Sequence, residues 1–368
     1  MHRSIELGKK LAASLPWTKT PLIIGAPMRV FTGPETALAI FRAGGLGFIG
    51  PGTTPQSTSV DLEAVRSATS PVPIPPRTTR SSTSSSGPGP DSNSVLPVGV
   101  GFQIWNGDLP TATAAVESFR PAAAWLFAPR NGQTETDVWT TQLRGASPHT
   151  QIWLQVGTVR EALEAARSRS PPDVLVIQGA EAGGHGRAVD GAGIITLIPE
   201  IADELGETKI PLVAAGGIAD GRGVVAALGV GAAGVAMGTR FLASTEARVN
   251  KGYRDEVLRA RDGAASTVRT QLYNHLRGTF GWPEQWSPRT VVNRSWVEHV
   301  EGVSFEELKR RHDQALKDGA AWGPEGRTAT YAGVNVGLVR EVKGAGEIVE
   351  EVRREAMDII RGMQSWVE

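Results

Sequence analysis

Short apolar runs alternate with amphipathic segments through roughly the first two thirds of the chain. The runs are rich in Val, Ile, Leu and Ala, as buried parallel strands are, and the segments between them have the periodicity of crossover helices. The eight predicted strands are 21–25, 46–49, 96–102, 123–127, 151–156, 174–177, 211–215 and 234–237. Because eight strand–helix units in about 240 residues match a closed (β/α)8 TIM barrel, the pattern favours this α/β fold over an open doubly wound sheet.

The chain has a different pattern after the eighth run. Charged helices are predicted at 253–261 and 305–317, and a long helix at 347–363. We therefore expect a barrel domain, 1–243, followed by a mainly helical C-terminal subdomain, 244–368. This subdomain is expected to cover the mouth of the barrel, with its last helix packing back on the barrel.

One segment of the barrel domain departs from the alternating pattern. Residues 70–94 are dominated by Ser, Pro, Thr and Gly, and a segment of this composition buries too little apolar surface to fold. We expect a disordered insert, and the sequence leaves open whether it is functional or an artefact of the gene model.

Two glycine-rich strings, 45–50 and 229–234, match the pattern G-x-G-x-x-G. Each falls where a predicted helix ends and a strand begins. A dinucleotide site needs the reverse order, because the helix start must face the pyrophosphate. Both strings are therefore predicted to be turns on the floor of the barrel and not nucleotide sites.

The overall composition narrows the classes of function. There are 38 basic and 38 acidic residues and no basic patch, so neither nucleic acid nor an anionic membrane is an expected partner. The absence of cysteine excludes thiolate nucleophiles and iron–sulfur clusters, and the six histidines lack metal-ligand spacing, so no metal site is predicted. With no long apolar run and no signal peptide identified, we expect a cytoplasmic protein that acts on small molecules. Its oligomeric state stays open.

Glycines follow both of the last two predicted strands. Gly216 and Gly217 come after the seventh strand, and Gly238 and Thr239 after the eighth. In a (β/α)8 barrel these two loops often bind phosphate, and their bare N–H groups and nearby helix starts favour an anion. The alternative is that they are only tight turns.

A histidine stands among glycines directly after the sixth predicted strand, 174–177. It is His185, flanked by Gly183, Gly184 and Gly186. At the carboxyl end of a barrel strand, on a mobile loop, a histidine is well placed for proton transfer. His185 is therefore the candidate catalytic residue, and a solvated surface turn is the alternative.

The ends of three other strands carry groups that suit a planar cofactor. Ala26, Pro27 and Met28 follow the first strand and offer a flat apolar face. Gln103 follows the third strand and Gln178 the sixth, and their amides can bond to ring heteroatoms. With the glycine loops, these residues indicate a phosphate-bearing planar cofactor across the barrel mouth.

Long stretches of the sequence resemble the nitronate monooxygenase family, formerly the 2-nitropropane dioxygenases. They are GAPM (25–28), RAGGLGFIG (42–50), IQGAEAGGHGR (177–187), the block from 211 to 242, and the tail from 331 to 352. The resemblance implies a (β/α)8 barrel that holds FMN non-covalently. It implies that the FMN phosphate lies at Gly216, Gly217, Gly238 and Thr239. It implies that the ring lies near Ala26, Pro27, Met28, Gln103, Gln178 and the Gly183–Gly184 turn.

The resemblance also implies the reaction. The substrate is an alkyl nitronate, or a nitroalkane that a base deprotonates at carbon. It gives an electron to the flavin, O2 enters, and a carbonyl compound and nitrite leave. His185 is the implied active-site histidine, either as the base or as an imidazolium bonded to the nitro oxygens.

Two positions depart from the family pattern. Residues 332–334 are Ala-Gly-Val where relatives often have Ala-Gly-Gln, and 101–103 are Gly-Phe-Gln where many have Asn. Three alternatives therefore stay open: an FMN-dependent NAD(P)H reductase of enoyl thioesters or quinones, a flavoenzyme of secondary metabolism, and a flavin-binding barrel without catalysis.

The remaining candidates belong mostly to the predicted C-terminal subdomain. Trp282, Trp286 and Trp296 are predicted to be its core and not a stacking site. His275 is a weaker candidate for a substrate contact, and Arg187 either steers an anionic substrate or is solvated.

Overall fold

The computed structural model describes residues 2–76 and 93–365. The strands in this part of the chain are β1 (Ile23–Gly25), β2 (Leu46–Ile49), β3 (Val72–Pro73), β4 (Ser94–Gln103), β5 (Pro121–Phe127), β6 (Gln151–Val156), β7 (Val174–Gln178), β8 (Gly184–Arg187), β9 (Leu212–Ala215), β10 (Gly234–Met237), β11 (Thr267–Arg269) and β12 (Trp286–Val291).

The α-helices of the described residues are α1 (His2–Ala13), α2 (Pro34–Arg42), α3 (Ser57–Ala68), α4 (Leu109–Phe119), α5 (Gly132–Ala146), α6 (Val159–Ala166), α7 (Ile194–Leu205), α8 (Gly221–Gly229), α9 (Thr239–Leu242), α10 (Lys251–Arg259), α11 (Gly263–Ser266), α12 (Leu272–Leu276), α13 (Arg294–Val300), α14 (Phe305–Lys317) and α15 (Ala345–Gln364). Short 3-10 helices span Ile104–Asn106 and Val334–Leu338. Within these ranges no helix is both long and apolar enough to cross a membrane.

Eight parallel strands form a closed barrel. Their order around the ring is β2, β1, β10, β9, β7, β6, β5, β4, and β4 pairs with β2 to close it. These are the eight predicted strands, each within two residues of its predicted bounds. The predicted (β/α)8 barrel is therefore confirmed. The glycine strings at 45–50 and 229–234 join a helix to the next strand, as predicted.

Aromatic side chains fill the amino-terminal half of the barrel interior. Phe48 packs on Trp125 and Trp153 with ring centroids 5.2 and 5.3 Å apart, and all three are almost fully buried. Leu11 of α1 and Leu15, just after that helix, join the same cluster and close the barrel from below. Because the amino end is packed solid, the barrel has room for a ligand only at the carboxyl ends of its strands.

The last helix, α15, completes the ring of helices around the barrel. It packs against α8 on one side and α2 on the other, where the eighth helix of a barrel lies. Its Arg353 is buried and donates hydrogen bonds to the backbone carbonyls of Pro21, Ala43 and Gly44. The chain between β10 and α15 therefore forms the subdomain, and α15 returns to the barrel.

A three-stranded antiparallel sheet, β11–β12–β8, joins this subdomain to the barrel. β8 comes from the loop after β7 and pairs residue by residue with β12, with His185 opposite Pro288. The prediction of a mobile loop at His185 is therefore wrong, and the sheet was missed. The reason is physical: GHGR has no alternation of apolar and polar residues, and it becomes a strand only through pairing with a distant segment.

The ends of the predicted insert take part in the fold. Val72 and Pro73 of β3 pair antiparallel with Val95 and Ser94 of β4. The rest of the insert, 77–92, lies outside the described residues.

We predict that Arg353 is a large contributor to stability. Replacing Arg353 with Met keeps the apolar stem but leaves the buried carbonyls of Pro21 and Ala43 without a donor among the described residues, while that of Gly44 keeps the Lys19 N–H. The free energy of unfolding in urea should fall by about 2–4 kcal/mol. Arg361→Met is the matched control, because Arg361 lies on the same helix, is exposed and pairs with the exposed Asp358. Its effect should stay within about 0.5 kcal/mol, and equal effects of both variants would contradict the prediction.

Candidate active site

A cavity of about 490 Å³ opens at the carboxyl ends of the barrel strands. This volume is typical of small-molecule sites. Every residue predicted to bind the cofactor or to react lies on its wall: Ala26, Pro27, Met28, Gln103, Gln178, Gly183, Gly184, His185, Gly216, Gly217, Gly238 and Thr239. The wall also contains residues that sequence reasoning missed, chiefly Arg29, Trp125, Gln155, Asn274 and Arg277.

The floor of the cavity has unmet hydrogen-bonding capacity. Gln178 Nε2 donates to the carbonyl oxygen of His185 (3.1 Å), and Trp125 Nε1 donates to Gln155 Oε1 (3.0 Å). The other two amide atoms, Gln178 Oε1 and Gln155 Nε2, are buried and have no partner within the described chain. A buried polar atom without a partner is costly. The floor therefore suits a ligand edge that carries both donors and acceptors.

The loops after β9 and β10 present bare backbone to the cavity. Gly216 and Gly217 have φ values of +108° and +75°, which other residues rarely adopt. Within the described ranges, the N–H groups of Gly217, Gly238 and Thr239 donate no hydrogen bond. These donors are available to an anionic group such as a phosphate.

The start of α8 does not belong to this anion-binding surface. The Asp220 carboxylate accepts hydrogen bonds from the N–H groups of Arg222 and Gly223, and Glu355 accepts from Gly221. Two carboxylates therefore cap the helix and repel an anion. The expectation that this helix start favours phosphate is wrong, and the available donors lie in the glycine loops.

His185 is enclosed by groups of the subdomain. Its ring lies flat on Trp282, with centroids 3.6 Å apart and planes 10° apart, and its Nε2 is 3.0 Å from Asn274 Nδ2. Trp282 is therefore a stacking partner on the cavity wall, and the prediction that it belongs to the subdomain core is wrong. No sequence signal marks Asn274, which lies 89 positions from His185.

The electrostatics of the cavity favour an anion. Burial, with smaller contributions from Arg269, Arg277 and Arg29, lowers the pKa of His185 to about 3, although the Asn274 hydrogen bond opposes the shift. His185 is therefore neutral near pH 7. The cavity wall, all of it in the described part of the chain, includes Arg29 and Arg277 and no carboxylate.

The other candidates have structural roles. Arg187 bridges Glu161 and Asp190 instead of steering a substrate or facing solvent. His275 stacks on Phe280, with ring centroids 5.2 Å apart, and is not on the cavity wall. Across residues 2–76 and 93–365, no three His, Asp or Glu side chains come together as a metal site requires.

A closed barrel with a cavity at its carboxyl rim is the architecture of a (β/α)8-barrel enzyme. The model of the nitronate monooxygenase family matches residues 144–355. The chain is 59% identical to nitronate monooxygenase npaC of Metarhizium robertsii, over 96% of each chain. It is 34% identical to a nitronate monooxygenase of Neurospora crassa, over 97% of this chain and 94% of that protein. The chain therefore belongs to the nitronate monooxygenase family, as its motifs predicted, and it is an oxidoreductase.

The fold also matches solved structures. FabK from Thermotoga maritima superimposes with a TM-score of 0.70 and 22% identity, over 97% of this chain and 98% of that one. At this identity the likeness supports the barrel fold alone. Membership of the family implies a flavin cofactor.

We predict that His185 makes the protein less stable in acid. Its pKa is about 3 when folded and 6.5 ordinarily, so below pH 6.5 the unfolded chain takes up a proton that the folded chain does not. Stability is therefore lost as the pH falls from 6.5 toward 3. His185→Gln removes this titration. Between pH 6 and pH 4 the wild type should lose up to about 1.4 kcal/mol per pH unit relative to the variant in urea unfolding. Parallel pH curves would contradict the assignment.

Proposed function

We propose that the protein is an FMN-dependent nitronate monooxygenase, which oxidises alkyl nitronates, or nitroalkanes, with O2 to a carbonyl compound and nitrite. One observation carries the proposal. The cavity wall combines a partly buried neutral histidine with arginines, and the described residues place no carboxylate on it. Such a site stabilises an anion with a planar, polar head, and a nitronate is one.

The cavity fits FMN at both of its ends. The free N–H groups of Gly217, Gly238 and Thr239, with Gly216, suit the phosphate. The unpaired amide atoms of Gln178 and Gln155 suit the polar edge of the ring system. Other residues of the cavity wall would contact the ring system: Ala26, Pro27, Met28, Gln103, Gly183 and Gly184. When bound, the flavin supplies the redox chemistry.

The protein's own residues bind and orient the substrate. Arg29 and Arg277 attract the anion to the mouth of the cavity. His185 contacts the nitro group from a ring plane that Trp282 fixes. The subdomain excludes water from this contact, which strengthens the hydrogen bond to the substrate.

Anaerobic mixing tests the proposed function. The purified FMN-loaded protein is mixed separately with an alkyl nitronate and with NADPH or NADH, and the flavin spectrum is followed. We expect a rapid change with the nitronate alone and none with the nicotinamide alone. Bleaching by the nicotinamide alone would replace the proposal with a reductase. If the purified protein cannot be loaded with FMN, the proposed cofactor is wrong.

We further predict that His185 is required for turnover and not for cofactor binding. His185→Asn should keep the FMN absorbance and lower kcat/KM for a nitronate by about 100-fold or more, as the loss of a positioned hydrogen-bonding group does. Oxygen consumption measures the rate. His275→Asn is the control, because His275 lies outside the cavity, and it should match the wild type. Unchanged turnover in His185→Asn would remove His185 from the mechanism.

A further inference from the structure

The protonation of His185 depends on which atom of Asn274 faces it. The Asn274 amide has one end that donates hydrogen bonds, Nδ2, and one that accepts them, Oδ1. If Nδ2 faces His185 Nε2, then Nε2 must accept and carry no proton. If Oδ1 faces it, Nε2 carries the proton. The neighbours of Asn274 decide between these two arrangements.

One neighbour of Asn274 is anchored to a group that only accepts. Gln271 Nε2 donates to the backbone carbonyl of Trp286, so its Oε1 is the end that faces Asn274. Oε1 cannot donate, and the Asn274 atom 2.7 Å from it must therefore be Nδ2.

The other neighbour is anchored to a group that only donates. Arg277 Nη1 donates to the Tyr331 hydroxyl (2.7 Å), and a guanidinium cannot accept. The hydroxyl proton is then directed to Asn274 Oδ1, 3.3 Å away. The contacts with Gln271 and with Tyr331 therefore orient the Asn274 amide in the same way, with Nδ2 toward Gln271 and His185.

A consistent protonation state of His185 follows. Nε2 accepts from Asn274 Nδ2 at 3.0 Å, so the neutral imidazole carries its proton on Nδ1. Either the imidazolium or the Nε2–H tautomer would set two N–H groups against each other. Nδ1 has no hydrogen-bond partner among the described residues, and it is not among the buried polar atoms that lack one. His185 lies on the cavity wall, so Nδ1–H is free to donate to a ligand.

We propose that Asn274 is a positioning residue that holds His185 as an Nδ1–H donor and thereby selects preformed nitronate anions over neutral nitroalkanes. The inference rests on the proposed function and deepens it. A nitronate needs a donor for its negatively charged oxygens, which Nδ1–H supplies. A neutral nitroalkane needs a base for its C–H proton, and Nδ1 becomes a base only in the tautomer that Asn274 opposes.

Substitution of Asn274 tests the proposal in the FMN-loaded protein. In Asn274→Asp a carboxylate accepts from Nε2–H, which leaves Nδ1 without a proton and able to act as a base. We expect kcat/KM for a nitroalkane, relative to the nitronate of the same carbon skeleton, to rise at least tenfold. Asn250→Asp is the control for the added carboxylate, since Asn250 lies outside the cavity wall and Asp can keep its acceptor role at the start of α10, where Oδ1 accepts from the Tyr253 N–H. Its ratio should stay near the wild-type ratio.

The pH profile gives a second readout that a merely structural role would not change. The groups that face His185 are Arg29, Arg269, Arg277 and Tyr331, and among them the cations disfavour its protonation. The Asn274→Asp carboxylate should raise the His185 pKa, so nitroalkane turnover should acquire a titration that the wild type lacks. Asn274→Leu, of similar size, removes the Nδ2 donor without supplying an acceptor, and it should not acquire this titration.

Nitrogen-15 NMR of histidine-labelled holoprotein reads the tautomer directly, with the His185→Gln spectrum assigning the signal. We expect a protonated Nδ1 and an unprotonated Nε2 in the wild type, and the reverse in Asn274→Asp. A wild-type proton on Nε2, or a substrate ratio that Asn274→Asp leaves unchanged, would overturn the inference. If the wild type turns over neither substrate, the proposed function fails, and the NMR result alone then supports or overturns the tautomer.

Discussion

The pairing of the first barrel strand with the last is the constraint on which the rest of the structure depends. β1 and β10 align Ile23 with Val235 and Gly25 with Met237. This closure brings loops from both ends of the barrel sequence onto one rim, so that a Cβ at Gly238 would lie 3.9 Å from that of Ala26. Since tryptophans fill the amino half of the interior, the rim is also where the barrel has space. Closure and packing together determine where a ligand can bind.

The subdomain turns this open rim into an enclosed site. The β8–β12 pairing holds the loop after β7 against the subdomain, and α12 and Trp282 then cover His185. The cover shields His185 from much of the solvent, and this burial is the largest cause of its lowered pKa. The barrel alone would leave His185 on an exposed turn, where its pKa would stay near the ordinary value. The chemistry at His185 is therefore a product of the junction between the two parts.

Sequence reasoning could predict those features that short stretches of chain determine. The barrel strands are apolar runs, and the glycine frame is visible because backbone that approaches a ligand at positive φ requires glycine, as at Gly216 and Gly217. β8 could not be predicted, because GHGR forms a strand only when β12 pairs with it. The roles of Trp282 and Asn274 were hidden for the same reason. Each depends on a contact with a histidine that is remote in the sequence, and neither residue type signals that contact.

The charges of the cavity explain why its histidine is neutral. Arg29, Arg269 and Arg277 surround His185, and among the described residues no carboxylate on the cavity wall balances them, so a further positive charge on the imidazole would be unfavourable. The missing negative charge is the kind that a phosphate and a nitronate carry. Such ligands would balance the positive charge of the arginines. The neutral imidazole would orient them by a hydrogen bond and would add no charge. A donor held at Nδ1 by Asn274 would add direction to the attraction of the arginines, and it would serve a nitronate anion and not a neutral nitroalkane, which needs a base.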